Sequence, residues 1–264
     1  MGHLDVIFNE DCFETIDRIP EKSVDVVLTS PFYNTNEKAG KGRTLNNTRV
    51  KSGQYDYVRY DVHVDNMTDG EYRNFTVKLF NGFDRILMNN GVVLYNLSYG
   101  SKGCDSLIDV IHSVIHETGF TLADTIIWRK KTALPNSCSP NKLTRIWEFV
   151  FVFCRKSEFK TFHSNKRVTS YRKTGQAAYE NVLNLVEAKN NDGSCPFNKA
   201  TYSTDLCQQL LNIYAPPGGV VYDPFMGSGT TAIACRNLNL HYIGSEISSN
   251  QVEWARERLC STGV

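Results

Sequence analysis

Asp223-Pro224-Phe225-Met226-Gly227-Ser228-Gly229-Thr230-Thr231 decides the fold through what stands on either side of it. Before it runs Gly219-Val220-Val221-Tyr222, and Thr230-Thr231-Ala232-Ile233-Ala234-Cys235 continues from it. A short β-branched apolar run of this kind reads as a buried parallel strand, and the segment after the glycines reads as the start of a helix. Gly227 and Gly229 let backbone approach a ligand closely, and a helix N-terminus offers unpaired amides and positive potential. No lysine follows the glycines, so this is not a phosphate-binding P-loop. The glycine loop alone would fit an ordinary tight turn. Further on, however, Tyr242-Ile243-Gly244-Ser245 delivers Glu246 to the tip of the next strand, where an acidic residue commonly grips ribose hydroxyls. Ligands of open α/β sheets bind at that carboxyl edge.

A second loop has the same setting. Val24-Asp25-Val26-Val27-Leu28 is a strand-like run, and Thr29-Ser30-Pro31-Phe32-Tyr33-Asn34-Thr35 follows it. Ser30 Oγ and the Pro31 carbonyl, held at a strand end by the restricted φ of proline, supply two hydrogen-bond acceptors, while Phe32 or Tyr33 offers a ring for stacking. Two acceptors are what an exocyclic amino nitrogen needs. Its lone pair is delocalised into the base, and it becomes nucleophilic only as its hydrogens are accepted and it pyramidalises.

Taken together, the loops resemble those of amino-group DNA methyltransferases, whose catalytic tetrapeptide is (S/N/D)-P-P-(Y/F) and whose S-adenosylmethionine loop is F-x-G-x-G. The order of the motifs matches the circularly permuted β group: catalytic motif first, target-recognition region in the middle, cofactor loop last. Asn9-Glu10-Asp11-Cys12 is similar to the N-terminal segment that approaches the cofactor adenine, which implies that role for Asp11 and Cys12. Ile126-Ile127-Trp128-Arg129-Lys130-Lys131, Pro135-Asn136-Ser137 and Leu143-Thr144-Arg145-Ile146-Trp147-Glu148 resemble a string found in N4-cytosine members. Pro196-Phe197-Asn198-Lys199 and Ser203-Thr204 resemble the segment at the methionine end of the cofactor, although Cys195 stands where a histidine is expected. The implied cofactor set is Asp11, Cys12, Thr29, Lys199, Ser203, Thr204, Asp223, Pro224, Phe225, Gly227, Ser228, Gly229, Thr230, Thr231 and Glu246, with Ser30, Pro31, Phe32 and Tyr33 as the catalytic loop. Phe32 departs from the family pattern, which has a second proline there. Serine at the first motif position points to cytosine N4. Adenine N6 is the alternative, and a non-catalytic DNA-binding relative stands behind both. The Pro-Cys pair of cytosine-C5 enzymes is absent, since only the reverse, Cys195-Pro196, occurs.

Composition agrees with this reading. The chain has 264 residues, 41% hydrophobic, enough for one large α/β domain with a small insertion. No apolar run approaches the ~20 residues that span a bilayer, and Met1-Gly2-His3-Leu4-Asp5 lacks a signal-peptide layout, so a cytoplasmic location is expected. The eight cysteines include no C-x-x-C pair and no metal-ligand spacing, and they read as reduced, buried thiols. The net charge of +1 conceals basic clusters. Lys38, Lys41, Arg43 and Arg49 form one, Lys131 falls in a second, and Arg167, Arg172 and Lys173 in a third. Interleaved Tyr55, Tyr57, Tyr60, Phe162 and Tyr171 favour a DNA cleft over plain solvated loops.

Seven strands are expected: 5–8, 24–28, 91–96, 122–128, 149–153, 220–222 and 242–244. Between them lie amphipathic helices over 69–88 and 106–117, with helix starts at Thr68 and at Ser203 or Thr204. The expectation is a Rossmann-like α/β fold with a seven-stranded, mostly parallel sheet. Its catalytic domain comprises residues 1–156 and 195–264, with a target-recognition region at 157–194 assisted by the 36–59 loop. The resemblance further implies duplex DNA as partner, a homodimer and a cognate restriction endonuclease.

Overall fold

The computed structural model describes residues 4–34, 67–98, 105–132, 140–141, 143–193, 195–198 and 201–261. Lys38, Lys41, Arg43, Arg49, Lys199, the tyrosines at 55, 57 and 60 and the Pro135-Asn136-Ser137 match lie outside the described residues.

The chain runs β1 (Val6–Phe8), α1 (Cys12–Arg18), β2 (Val24–Thr29), α2 (Asp69–Ile86), β3 (Leu87–Leu97), α3 (Asp105–Glu117), β4 (Phe120–Lys130) and β5 (Trp147–Arg155). It continues through β6 (Val168–Tyr171), β7 (Ala177–Tyr179), β8 (Leu185–Ala188), α4 (Thr204–Tyr214), β9 (Val220–Asp223), α5 (Thr230–Asn237), β10 (His241–Ser245) and α6 (Ser249–Ser261). The main sheet has the order β1-β10-β9-β2-β3-β5-β4-β8. Only β5 is antiparallel to its neighbours. All seven expected strands are present. The eighth, β8, comes from the end of the 157–194 segment and pairs in parallel with β4, from Ile127 opposite Leu185 to Lys130 opposite Ala188.

Helices cover both faces, which is why the central strands read as unbroken apolar runs. Alternation along β2, β3 and β5 sends Val26, Leu28, Val92, Leu94, Val150 and Val152 to the layer of α4, α5 and α6. Val27, Val93, Tyr95, Phe151 and Phe153 face the layer of α1, α2 and α3, where Phe80 packs edge-on against Tyr95, Phe120 and Phe153. Helix α2 begins at the expected capping box. Thr68 accepts from the Glu71 amide, and the Glu71 carboxylate accepts from the Thr68 amide at 2.8 Å. Ser203, rather than Thr204, caps α4, accepting from the Leu206 amide while donating to the Lys189 carbonyl at 2.9 Å.

The feature that positions the site is the pairing of β2 with β9, Val26 opposite Val221 and Val27 opposite Tyr222. Two strands far apart in sequence lie side by side and end at the same edge. Both loops singled out in the sequence therefore leave the sheet together. Among the described residues no helix is long and apolar enough to cross a membrane. Cys12, Cys154, Cys195, Cys207 and Cys235 are free and buried, whereas Cys260 is free and exposed, unlike the buried thiols expected.

Candidate active site

Asp223, at the tip of β9, is the hub under the glycine loop. It is 1% exposed. One carboxylate oxygen accepts from Thr29 Oγ1 at 2.7 Å and from the Phe225 amide at 3.0 Å. The other accepts from Tyr202 OH at 3.0 Å and from Thr231 Oγ1 at 2.5 Å. Burial raises its pKa above the ordinary carboxylate value, and these donors pull in the opposite direction. Thr29 belongs to β2, so this carboxylate also ties the two strand tips together.

The loop then turns through two left-handed glycines, Gly227 at φ 53° and Gly229 at φ 82°. A Cβ on Gly229 would stand 2.8 Å from Ala255 Cβ of α6, so only glycine permits both the turn and the packing of the loop on α6. Glu246, beyond the tip of β10, accepts from the Gly227 amide and from the Ser248 amide, both at 2.9 Å. Arg258 of α6 donates to the Ser228 carbonyl at 2.6 Å and to Ser228 Oγ at 3.0 Å.

A cavity of about 290 Å³ opens between this loop, the start of α1 and the loop after β2. Asp11 lines it and caps α1, accepting from the Phe13 amide at 2.8 Å. Burial, helped by the neighbouring Asp11 charge, pushes the Cys12 thiol up to about 12, so it stays neutral and is no nucleophile. Phe32, Phe75 and Phe225 form an aromatic wall with centroids 5.2 to 6.1 Å apart, and Tyr72 OH donates to the Phe32 carbonyl at 2.6 Å. Phe32 is 7% exposed. The residue that replaces the second motif proline is thus part of the cavity wall, packed against Phe75 and Phe225.

Ser30 also lines the cavity and stands at the head of a polar chain. Its Oγ lies 3.0 Å from Tyr33 OH, which is 2.9 Å from Asn96 Oδ1 and 3.1 Å from Glu148 Oε2. The other Glu148 oxygen pairs with Lys130 Nζ, and Lys130 lies over the Trp128 ring at 4.8 Å.

Of the sequence-derived site residues, the cavity wall brings together Asp11, Cys12, Ser30, Phe32, Pro224, Phe225, Gly227, Ser228, Thr230 and Glu246. Thr29, Asp223 and Thr231 lie beneath it, bonded to one another, and Gly229 packs on α6. Pro31 and Tyr33 are beside the wall rather than in it. Ser203 and Thr204 serve the start of α4, where Thr204 is held by Asp192 at 2.9 Å through its amide. The sequence did not point to Tyr202 or Gln251, and it gave Asn198 no role within the segment that contains it. Asn198 donates to Gln251 Oε1 at 2.8 Å, and both line the cavity beside Gly227. Outside the cavity lining, β6 and β7 form a two-stranded ribbon with Arg172 and Lys173 at its turn, while Lys131 follows β4. Arg167 is bound by Glu180 at 3.0 and 3.1 Å, so its charge is matched within the ribbon.

An open, mostly parallel sheet with two loops framing one cavity at its carboxyl edge is the Rossmann-like α/β architecture. The DNA methylase family matches residues 24–257, and the chain belongs to that family. It is 24% identical to the type II methyltransferase M.BglII of Bacillus subtilis, over 97% of this chain and 69% of that one. It is 23% identical to the type II methyltransferase M.Cfr9I of Citrobacter freundii, over 96% and 87%. Among solved structures, PvuII DNA methyltransferase (cytosine-N4-specific) superimposes with a TM-score of 0.68 at 18% identity, covering 98% of this chain and 87% of that one. The M1.HpyAVI–SAM complex does so with a TM-score of 0.61 at 21% identity, over 96% and 98%.

Proposed function

We propose that this chain transfers the methyl group of S-adenosylmethionine to the exocyclic amino group of a base flipped out of duplex DNA, cytosine N4 ahead of adenine N6, as the modification arm of a restriction-modification pair. The observation that carries the reading is the placement of Ser30 and the glycine loop on one cavity, through the adjacent tips of β2 and β9. The type II relatives and the solved SAM complex of a structural neighbour support the same reaction class and cofactor. Serine in the first motif position, and the cytosine-N4-specific neighbour, favour cytosine.

The residues present fit the cofactor. Glu246 and Asp11 both line the cavity, where Glu246 would accept from ribose hydroxyls and Asp11 would hold the adenine. Phe225 and the half-exposed Ile247 supply apolar faces. The cofactor contributes an electrophilic methyl group on a sulfonium. Ser30 and the Pro31 carbonyl accept the amino hydrogens. We assign residues 157–194 to target recognition, with the β6–β7 ribbon as the element that enters the major groove, which admits a two-stranded ribbon. Its first strand is exposed throughout, its second is partly buried, and it presents Tyr171, Arg172 and Lys173.

Mass spectrometry of nucleosides from duplex DNA treated with protein and cofactor tests the reaction. N4-methylcytosine is the expected product. N6-methyladenine would overturn the choice of base, and the absence of any methylated nucleoside would overturn the reading itself. Glu246→Gln removes the charge while keeping an acceptor for a loop amide, and should weaken cofactor binding by ~1.5–3 kcal/mol, tenfold or more by calorimetry. The melting temperature of the cofactor-free variant should stay within a few degrees of the parent. An unchanged affinity would remove Glu246 from the ribose.

A further inference from the structure

Hydrogen-bond accounting around Tyr33 fixes which way its protons run. Its hydroxyl has one proton and, among the described residues, meets Ser30 Oγ at 3.0 Å, Asn96 Oδ1 at 2.9 Å and Glu148 Oε2 at 3.1 Å. The Asn96 amide cannot be turned to donate instead, because its nitrogen already donates to the Phe149 carbonyl at 2.8 Å, and a flip would set two oxygens against each other. Glu148 pairs with Lys130 Nζ through its other oxygen and is an acceptor as well. Two acceptors therefore compete for the single Tyr33 proton. Ser30 must donate to Tyr33, and its remaining lone pairs are left for the cavity that it lines.

We infer that Tyr33 and Glu148 are positioning residues that make Ser30 an obligate acceptor toward the target amino group and link it to a carboxylate. The inference rests on the methyl-transfer reading above. As the N–CH₃ bond forms and the S–CH₃ bond breaks, the bonding pair returns to sulfur and positive charge builds on the amino nitrogen. One amino proton passes to Ser30 Oγ, the Ser30 proton to Tyr33 and the Tyr33 proton to Glu148, which returns it to water after turnover. The N-methylated cation is strongly acidic, so a carboxylate at the end of the chain accepts its proton without further activation. The benefit to rate comes earlier, from a negative charge hydrogen-bonded through two hydroxyls to the site where positive charge develops. Tyr33 thereby serves through its hydroxyl as well as through any stacking of its ring.

The test compares Tyr33→Phe, Glu148→Gln and the double variant in single-turnover methylation, with Lys130→Gln/Glu148→Gln as a variant that leaves no unpaired lysine behind. Each should lower the methyl-transfer rate about 10-fold, less than removal of Ser30 itself, with the KM for cofactor and the Kd for DNA unchanged. The Tyr33→Phe/Glu148→Gln double variant should be no slower than either single, because the groups act as one unit. In the cofactor-free protein, the Tyr33 hydroxyl proton, held between two acceptors, should give a slowly exchanging NMR resonance that Tyr33→Phe abolishes and Glu148→Gln shifts. Full-rate methylation by either single variant, or losses that multiply in the double, would overturn the relay while leaving the methyltransferase reading intact. A parent protein that methylates no DNA would overturn both.

Discussion

Ser30→Ala should lower the single-turnover rate of methyl transfer by roughly 10²-fold or more, within the range for loss of a positioned acceptor. In the methyl-transfer reading proposed above, the amino hydrogens have two acceptors, Ser30 Oγ and the Pro31 carbonyl. Alanine removes the first and leaves the second, so a residual rate above background is expected rather than abolition. Alanine also strands the Tyr33 hydroxyl behind a methyl group. The Tyr33–Asn96–Glu148 contacts can persist without reaching the base. Cofactor affinity should hold, because the glycine loop is held by Glu246 and Asp223 rather than by Ser30. DNA affinity should hold as well, because phosphate contacts dominate such affinity and Ser30 carries no charge to offer them. Rapid-quench methylation with saturating cofactor is the measurement. A rate within threefold of the parent would remove Ser30 from the chemistry and would take the relay through Tyr33 with it.

The sequence showed what is contiguous. Strands β2 and β9 are covered on both faces and so appear as unbroken apolar runs, and the loops that follow them carry their chemistry within a few residues. The Thr68 capping box is equally local, a side-chain exchange across one helical turn. Strand β8 was invisible for the opposite reason. Leu185-Val186-Glu187-Ala188 is a short sheet edge with only Val186 and Ala188 buried, and two apolar alternations do not distinguish a strand from a loop. The β6–β7 ribbon buries neither face against the core, so it has no hydrophobic period to read. Asn96, Lys130 and Glu148 escaped for a third reason. Lys130 and Glu148 both fall inside the string that resembles N4-cytosine enzymes, yet nothing in that string shows that they meet. The meeting is made by register, with Asn96 opposite Val150 across β3 and β5 and Trp128 opposite Glu148 across β4 and β5. A single sequence does not display cross-strand neighbours. Asp223 shows a related blind spot, since a strand-tip carboxylate that faces the ligand and one that turns under the loop have the same sequence signature.

That difference sets up the other large effect. Asp223→Ala should remove most of the folded protein, because the side chain accepts from the Phe225 amide and is shared by the hydroxyls of Thr29, Tyr202 and Thr231. Unsatisfied buried donors cost ~1–3 kcal/mol each. Tyr202 and Thr231 lie 2.5 Å apart and can satisfy one another, so the net loss should be nearer ~4–6 kcal/mol than the full sum. Against a stability of ~5–15 kcal/mol, that means a fall in melting temperature of about 10 °C or more, or no soluble protein. Asp223→Asn separates scaffold from ligand contact. Its amide oxygen can keep the Phe225 amide and Thr29, while its nitrogen donates to hydroxyls that rotate to accept, so the cost should be ~1–2 kcal/mol. The folded Asn variant should then bind S-adenosylmethionine within about threefold of the parent, because Asp223 lies under the cavity rather than on its wall. Scanning calorimetry paired with titration calorimetry reads both quantities. A normal melting temperature together with a tenfold or greater loss of cofactor affinity would return Asp223 to the cofactor and displace it as the hub joining the tips of β2 and β9.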